Sequence, residues 1–243
     1  MATDRQSTTS EGQAGASQTT GDQPSGERLA SHPVVGFIPW ILFWVIGGPS
    51  TWETGTLAAL LAAILVTMLS IDYRPLAAWA TAQPDRRRVG LRPELSRLKL
   101  LDVATVVFFA ALSLAAVVTT RQNVSDLDKY SQAISSGALG LIALGSIVFG
   151  HPFTVDYAKE ETPPEVWHTA VFKRINLVLS SVWAAVFLVC ALLGLAAQQN
   201  VAKGLRDWLN WYIPIALIFL AFRFTKSYPQ QVRAQQQAQR ASN

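Results

Sequence analysis

The chain reads as an all-α, polytopic bundle of about six transmembrane helices with both termini cytoplasmic. Three observations predict this. Half of its 243 residues are hydrophobic and only 15% are charged, against about 25% charged in soluble domains, so the apolar surface exceeds what one soluble core buries. The apolar residues gather into six segments approaching the ~20 helical residues that cross a ~30 Å hydrocarbon layer. Sixteen of the 20 Lys and Arg residues fall on alternate connections, the asymmetry that fixes membrane orientation.

Residues 1–31 contain one Leu and no Val, Ile, Phe, Trp or Tyr. Such a segment cannot bury enough surface to offset its ordering entropy and reads as a disordered cytoplasmic tail; it lacks the pattern of a secretory signal. A membrane domain over 32–226 follows. Its spans are expected at 33–48, 55–71, 103–119, 133–150, 175–197 and 211–226, with a polar, Gln-rich cytoplasmic tail over 227–243. The first span is short and holds Pro39, which a membrane helix tolerates where neighbours satisfy the freed carbonyl.

With the amino terminus inside, only Arg121, Lys129, Lys203 and Arg206 fall on the outer loops. Those loops are short, so the spans are expected to pair as three hairpins. Trp52, Trp208 and Trp211 then form an outer aromatic belt. Two longer cytoplasmic connections, 72–102 and 151–174, share an Asp-Tyr pair, a Trp and a Pro, a faint echo of a duplicated hairpin. The high pI of about 9.4 therefore reflects topology, and nucleic acid is not an expected partner. A single cysteine, Cys190, excludes disulfides and thiolate clusters within one chain.

No Asp, Glu, Lys, Arg or His lies near the middle of a span, which counts against proton or ion relays. The spans carry small residues at helical spacing instead: Gly55, Ala59, Ala63 and Thr67 on the second, Ser136, Gly137, Gly140, Gly145 and Ser146 on the fourth. Such faces let helices approach closely in lipid, for internal packing above all, or for a homo-oligomer face or a substrate gap. Asn176, Ser180 and Ala184 form a polar-to-small stripe on the fifth span, where Asn176 is expected to hydrogen-bond across helices. The basic connection brings Arg86, Arg87, Arg88, Arg92, Arg97 and Lys99 near the membrane surface as candidate contacts for anionic lipid.

The stretch HPFTVDYAKEETPPEVWHTAVFK, from His151 to Lys173, holds two histidines, four carboxylates, a tyrosine and two lysines. His151-Pro152 closes the fourth span. Thr154 is expected to cap a short turn through Tyr157, and Thr162 with Glu165 reads as a capping box, proline sitting at the first helical position. Most of the stretch is then caps and solvated face. Its two histidines lack the spacing of a metal site, and no phosphate loop, HExxH, nucleophile elbow or CxxC occurs. No cofactor is expected.

The runs PFTVDYAKEETPPEVW and FKRINLVLSSVWAAVF resemble a pattern, PFT-x-x-YA with a later N and VW, of a family of small uncharacterised bacterial multi-pass membrane proteins. The general layout is also loosely similar to the septation protein A class of inner-membrane proteins. The matched positions are Pro152, Phe153, Thr154, Tyr157, Asn176 and Trp183; Asp156 joins them as a candidate functional loop residue. The resemblance implies a bacterial inner membrane and an envelope role, and it carries over no catalytic residue. The expected function is a non-enzymatic scaffold or regulator acting through its cytoplasmic connections, its partners being the bilayer and a second copy or another membrane protein. The alternatives are a transporter or channel for uncharged solutes, for which a cavity between the second, fourth and fifth spans would speak, and a lipid-acting enzyme using His151, Asp156, Tyr157 or His168 as acid and base.

Overall fold

The structure, a computed structural model, describes residues 33–47, 51–70, 99–118, 129–199 and 201–242. No strand occurs among the described residues, as expected where each backbone polar group must find its partner within its own helix. The elements are α1 (Pro33–Ile46), α2 (Trp52–Ser70), α3 (Leu100–Val118), α4 (Ser131–Val148), the short α5 (Thr154–Glu161), a 3₁₀ turn (Pro164–Val166), α6 (Ala170–Ala197), α7 (Lys203–Asp207) and α8 (Ile213–Ala241). A π turn, Trp208–Tyr212, joins α7 to α8 in one continuous helix. The Arg-rich run Arg86 to Arg97 and the Asp72-Tyr73 echo lie outside the described residues, as does the tail over 1–31.

Five helices are long and apolar enough to cross a membrane: α2, α3, α4, α6 and the α7–α8 rod. The sixth expected span, α1, is shorter. Its 14 residues reach about 21 Å at ~1.5 Å per residue, less than the ~30 Å layer. It need not match the bilayer, because its rings face protein: Trp40 and Phe43 are among the most buried side chains. Trp40 stacks on Phe108 and meets Phe109 of α3, while Phe37 stacks on Trp183 of α6. Trp40 Nε1 donates to Thr105 Oγ1 (3.0 Å) and Trp44 Nε1 to Ser135 Oγ (2.9 Å), so α1 is bonded to both α3 and α4. At the far end of the chain, α8 continues helically to Ala241 through the Gln-rich segment expected to be a tail.

The burial pattern is that of a protein in lipid. Val45, Leu61, Val107, Leu114, Leu141 and Phe149 are exposed, whereas Thr56, Thr105, Ser113, Ser135, Ser146, Asn176 and Ser180 are buried. Small and polar residues line the helix contacts and large apolar ones face outward. Trp208 and Trp211 are exposed, as an interfacial belt requires; Trp52 instead packs inward at 2% exposure.

The three-hairpin expectation is only partly met. α1 pairs closely with α2, but α3 packs on α2 rather than α4, and the most extensive contact of all joins α4 to α6. Backbone fit overrides loop length here. A Cβ on Gly140 would lie 2.8 Å from Leu188 Cγ, one on Gly194 3.0 Å from the Ala133 nitrogen, and one on Gly55 2.8 Å from Gly47 Cα. Close approach at these glycines brings the helices together wherever the loops permit it. The small-residue faces thus serve packing within the bundle.

α4 ends in a Schellman turn that aims the next segment back at the bundle. Gly150 has φ +75°, its N–H bonds the Ile147 carbonyl (2.9 Å), and the His151 N–H bonds the Ser146 carbonyl (2.8 Å). This geometry favours glycine, so Gly150, one residue before the expected His-Pro stop, reverses the chain.

Candidate functional site

The polar groups of the His151–Thr169 connection converge with the start of α3, the end of α2 and the start of α6 at one end of the bundle, here the Lys99 end. α5 lies against α6 there and is fastened by side chains that the sequence keeps far apart. Phe153 and Tyr157, four residues apart on one face, are both buried. The Phe153 N–H donates to Ser146 Oγ (3.1 Å). Thr154 Oγ1 donates to the Asn176 carbonyl (3.0 Å) and lies 2.9 Å from Ser180 Oγ. Thr154 is therefore not the cap of α5 but its peg into α6, which receives it at the Asn176–Ser180 stripe.

Asn176 is 1% exposed and departs from the cross-helix bond expected of it. Its Nδ2 turns back to the Phe172 carbonyl of its own helix (2.9 Å), and its Oδ1 has no partner among the described residues. The cross-helix contact runs through its backbone carbonyl instead. Trp183, two turns along, donates from Nε1 to Thr225 Oγ1 of α8 (3.0 Å). Pro152, half-buried, stands between the Schellman turn and this anchor.

The charged groups complete the fastening. Asp156 Oδ2 accepts from the Leu100 N–H (3.1 Å), the first residue of α3, and Asp156 Oδ1 meets His151 Nε2 (2.8 Å). A carboxylate from α5 thereby caps the positive end of α3's dipole. Lys99 Nζ pairs with Glu160 Oε2 (3.1 Å) and stands 4.5 Å from the centroid of the Tyr157 ring. Lys99 is 4% exposed: the last cation of the basic connection turns into the protein rather than toward lipid, because α5 offers it a carboxylate and a ring face.

Behind this pair, Asp102 Oδ2 accepts from Ser70 Oγ of α2 (3.0 Å). Asp102 Oδ1 and the Tyr157 hydroxyl have no partner among the described residues. Both lie beside the space a Cβ on Gly36 would occupy, the hydroxyl in outright collision with it. Glycine at 36 therefore admits the Tyr157 ring. Burial, reinforced by Asp102, Asp156 and Glu160, pushes the Tyr157 hydroxyl well above its ordinary range, so it remains a neutral donor. Burial also raises Glu160, against the opposing pull of Lys99.

The remainder of the connection departs from the capping box. Thr162 closes α5, its Oγ1 bonding the Ala158 carbonyl (2.6 Å). Pro163 is extended, as a residue before proline must be, and a single 3₁₀ turn follows. α6 starts at Ala170 under Thr169, whose Oγ1 accepts from the Phe172 N–H (3.2 Å). The two prolines postpone the helix, so Thr169 takes the role expected of Thr162. His168 is exposed and does not join His151 at Asp156. Among the described residues no group of three or more His, Cys, Asp and Glu side chains is gathered as a metal would require.

Sequence reasoning found Thr154, Asp156 and Tyr157 but missed Lys99 and Gly36 beside the Tyr157 ring and the Ser70–Asp102 bond behind them. The available signal was that Lys99 and Asp102 flank a span start, where charges not needed by solvent can turn inward. At the opposite end, the Lys129 end, a cavity of about 340 Å³ lies between α1, α4, α6 and α8, not between the second, fourth and fifth spans. Compared with protein families, with curated proteins and with solved structures, the chain finds no match.

Proposed function

We propose that the chain is a non-enzymatic protein of the bacterial inner membrane, both termini cytoplasmic, whose 150–169 connection is a rigid docking surface for another envelope protein. The supporting observation is that this connection spends its charges and hydroxyls on its own fastening. Lys99–Glu160, Asp156 on the Leu100 N–H, and Thr154 on Asn176 and Ser180 tie α5 to α3 and α6. Its other face, with Glu161, Pro163, Pro164, Glu165 and His168, is exposed. A surface already ordered loses little entropy on binding. Within PFTVDYA, Phe153, Thr154 and Tyr157 are the buried anchors of this fastening.

A photo-crosslinking residue at Glu165 in native membranes tests the reading. A discrete heteromeric adduct is expected, weakened when Thr154→Val removes the hydroxyl that fastens α5 to α6. No adduct, or one indifferent to that variant, refutes it. The lipid-enzyme reading is less well supported, since only His151 of the two histidines meets Asp156.

The cavity favours a second reading, a carrier of uncharged solutes. Against a continuous path stand Phe37, Trp183 and Phe187, whose rings pack at 5.3–5.9 Å; Phe187 also lines the cavity. Osmotic swelling of vesicles in glycerol discriminates: a carrier accelerates it over protein-free vesicles, and a docking protein leaves it unchanged.

A further inference from the structure

We propose that the cavity at the Lys129 end binds an uncharged ring ketone carried on an apolar chain, the chemistry of a membrane quinone. Ser136 carries the argument. It lines the cavity at 3% exposure, and its hydroxyl has no hydrogen-bond partner among the described residues. The hydroxyl is nevertheless not sealed from water, as the Gln132 and Asn210 oxygens and Ser113 Oγ are. With so little of Ser136 exposed, the space its hydroxyl opens onto is the cavity it lines.

The hydroxyl lies at depth. Gly137, the next residue, meets Ala191 across the α4–α6 contact, which sets Ser136 about 10 Å inward of Gln198 at ~1.5 Å per residue. Since α8 runs back along α6 to the Trp183–Thr225 bond, the wall at this level is otherwise Cys190, Ile215 and Ile218. A donor facing such a wall costs free energy unless something accepts its proton. A water molecule is held by about two to four polar partners, and Ser136 supplies one. Gln132, nearer the rim, spends its amide nitrogen on the Cys190 carbonyl (3.5 Å). A carbonyl on an apolar molecule needs the one donor that is present.

The rest of the wall sets the form of the molecule. Phe43, Trp44, Phe187 and Trp211 contribute four aromatic rings, and Trp44 is held beside Ser136 by its Nε1 bond to Ser135 Oγ (2.9 Å). Such rings pack well on a flat conjugated ring. Lys129, the one formally charged residue on the described wall, is exposed at the rim, so the depth is uncharged and suits a neutral ligand. Trp211 and Ile215 line the cavity and are themselves exposed. The cavity therefore opens sideways along α8 toward lipid, and an apolar chain has an exit that avoids the headgroups.

The test uses the full chain in lipid nanodiscs and its thermal unfolding, since a ligand of the folded state raises the melting temperature in proportion to its occupancy. Decylubiquinone is the probe, compared with decylbenzene, a ring and chain without carbonyls, and with decanoic acid. Saturable stabilisation by decylubiquinone is expected, with an affinity about threefold to tenfold lower in Ser136→Ala, which deletes one neutral hydrogen bond. Decylbenzene should bind the native protein and the variant alike. Unfolding without ligand checks that the variant folds; if it does not, the native protein's preference between decylubiquinone and decylbenzene decides. The proposal is overturned by an absence of saturable stabilisation, by equal affinity of decylubiquinone for the folded variant, or by either comparison compound binding the native protein as tightly as decylubiquinone. Failure here leaves the docking reading at the Lys99 end untouched.

Discussion

Thr154→Val removes the peg that holds α5 on α6 while keeping the side chain's shape. In the native protein the hydroxyl gives its proton to the Asn176 carbonyl at 3.0 Å and receives Ser180's at 2.9 Å. Both bonds are buried and neutral, worth about 0.5–1.5 kcal/mol each. The Ser180 hydroxyl can turn back to the carbonyl four residues earlier, the same Asn176 carbonyl, and recover part of the loss. The net cost is about 1–2 kcal/mol, a factor of about 5–30 in an opening equilibrium. Because the anchor concerns one short helix, the loss should show as local opening rather than global unfolding. Hydrogen exchange of the α5 amides, measured by mass spectrometry in nanodiscs, should therefore accelerate 5-fold to 30-fold in Thr154→Val, with α4 and α6 little changed. Thr154→Ser, which keeps the hydroxyl, should stay within about twofold of the native rate. Unchanged α5 exchange in the valine variant, or an equal effect of serine, would show that the hydroxyl is not what fastens the loop.

Glu160 supplies a pH signature. Its carboxyl is raised in the folded protein, burial outweighing Lys99, so the docked state binds protons more readily than the released one. Its contribution is present below the ordinary glutamate range and lost as pH rises through the raised value. In a His151→Gln background, α5 protection corrected for intrinsic exchange should be greater at pH 5 than at pH 8, and Glu160→Gln should flatten that dependence; the opposite slope refutes the assignment. Among the glycines, Gly55→Ala forces a Cβ to 2.8 Å from Gly47 backbone, whereas Gly137→Ala meets only the Ala191 Cβ at 3.7 Å. Overpacking of ~1–3 kcal/mol should lower the melting temperature of Gly55→Ala by roughly 3–10 °C and leave Gly137→Ala near the native value, read by tryptophan fluorescence. For orientation, Ser125→Cys should react with an impermeant maleimide from outside and Arg88→Cys should not, both in a Cys190→Ala background; the reverse pattern overturns the topology.

The class of fold was legible because it follows from local quantities. Apolar stretches near a bilayer's length leave the backbone no option but helix, and the segments 55–71, 103–119, 133–150 and 175–197 overlap the observed α2, α3, α4 and α6. The short α1 was harder. Its apolar residues read as a span, yet Trp40 and Trp44 bond to Thr105 and Ser135 on two other helices, which no local pattern reports. The candidate site was legible by half. Phe153, Thr154 and Tyr157 share a face by helical spacing alone, and the Asn176–Ser180 stripe was visible as polar residues inside a span. The capping box at Thr162 misled, because Pro163 and Pro164 fit a helix start as well as the extended turn that displaced the true cap to Thr169.

The sequence by itself determined that this chain is a helical bundle suited to a membrane, and roughly where α2, α3, α4 and α6 fall. These depend on composition and on contacts a few residues apart. Only the tertiary structure decided that α4 pairs with α6 rather than α3, that Gly36 admits the Tyr157 ring, and that Lys99 turns inward onto Glu160, 61 positions away. Such pairings depend on the register in which small-residue faces close on one another, and that register is a property of two surfaces together.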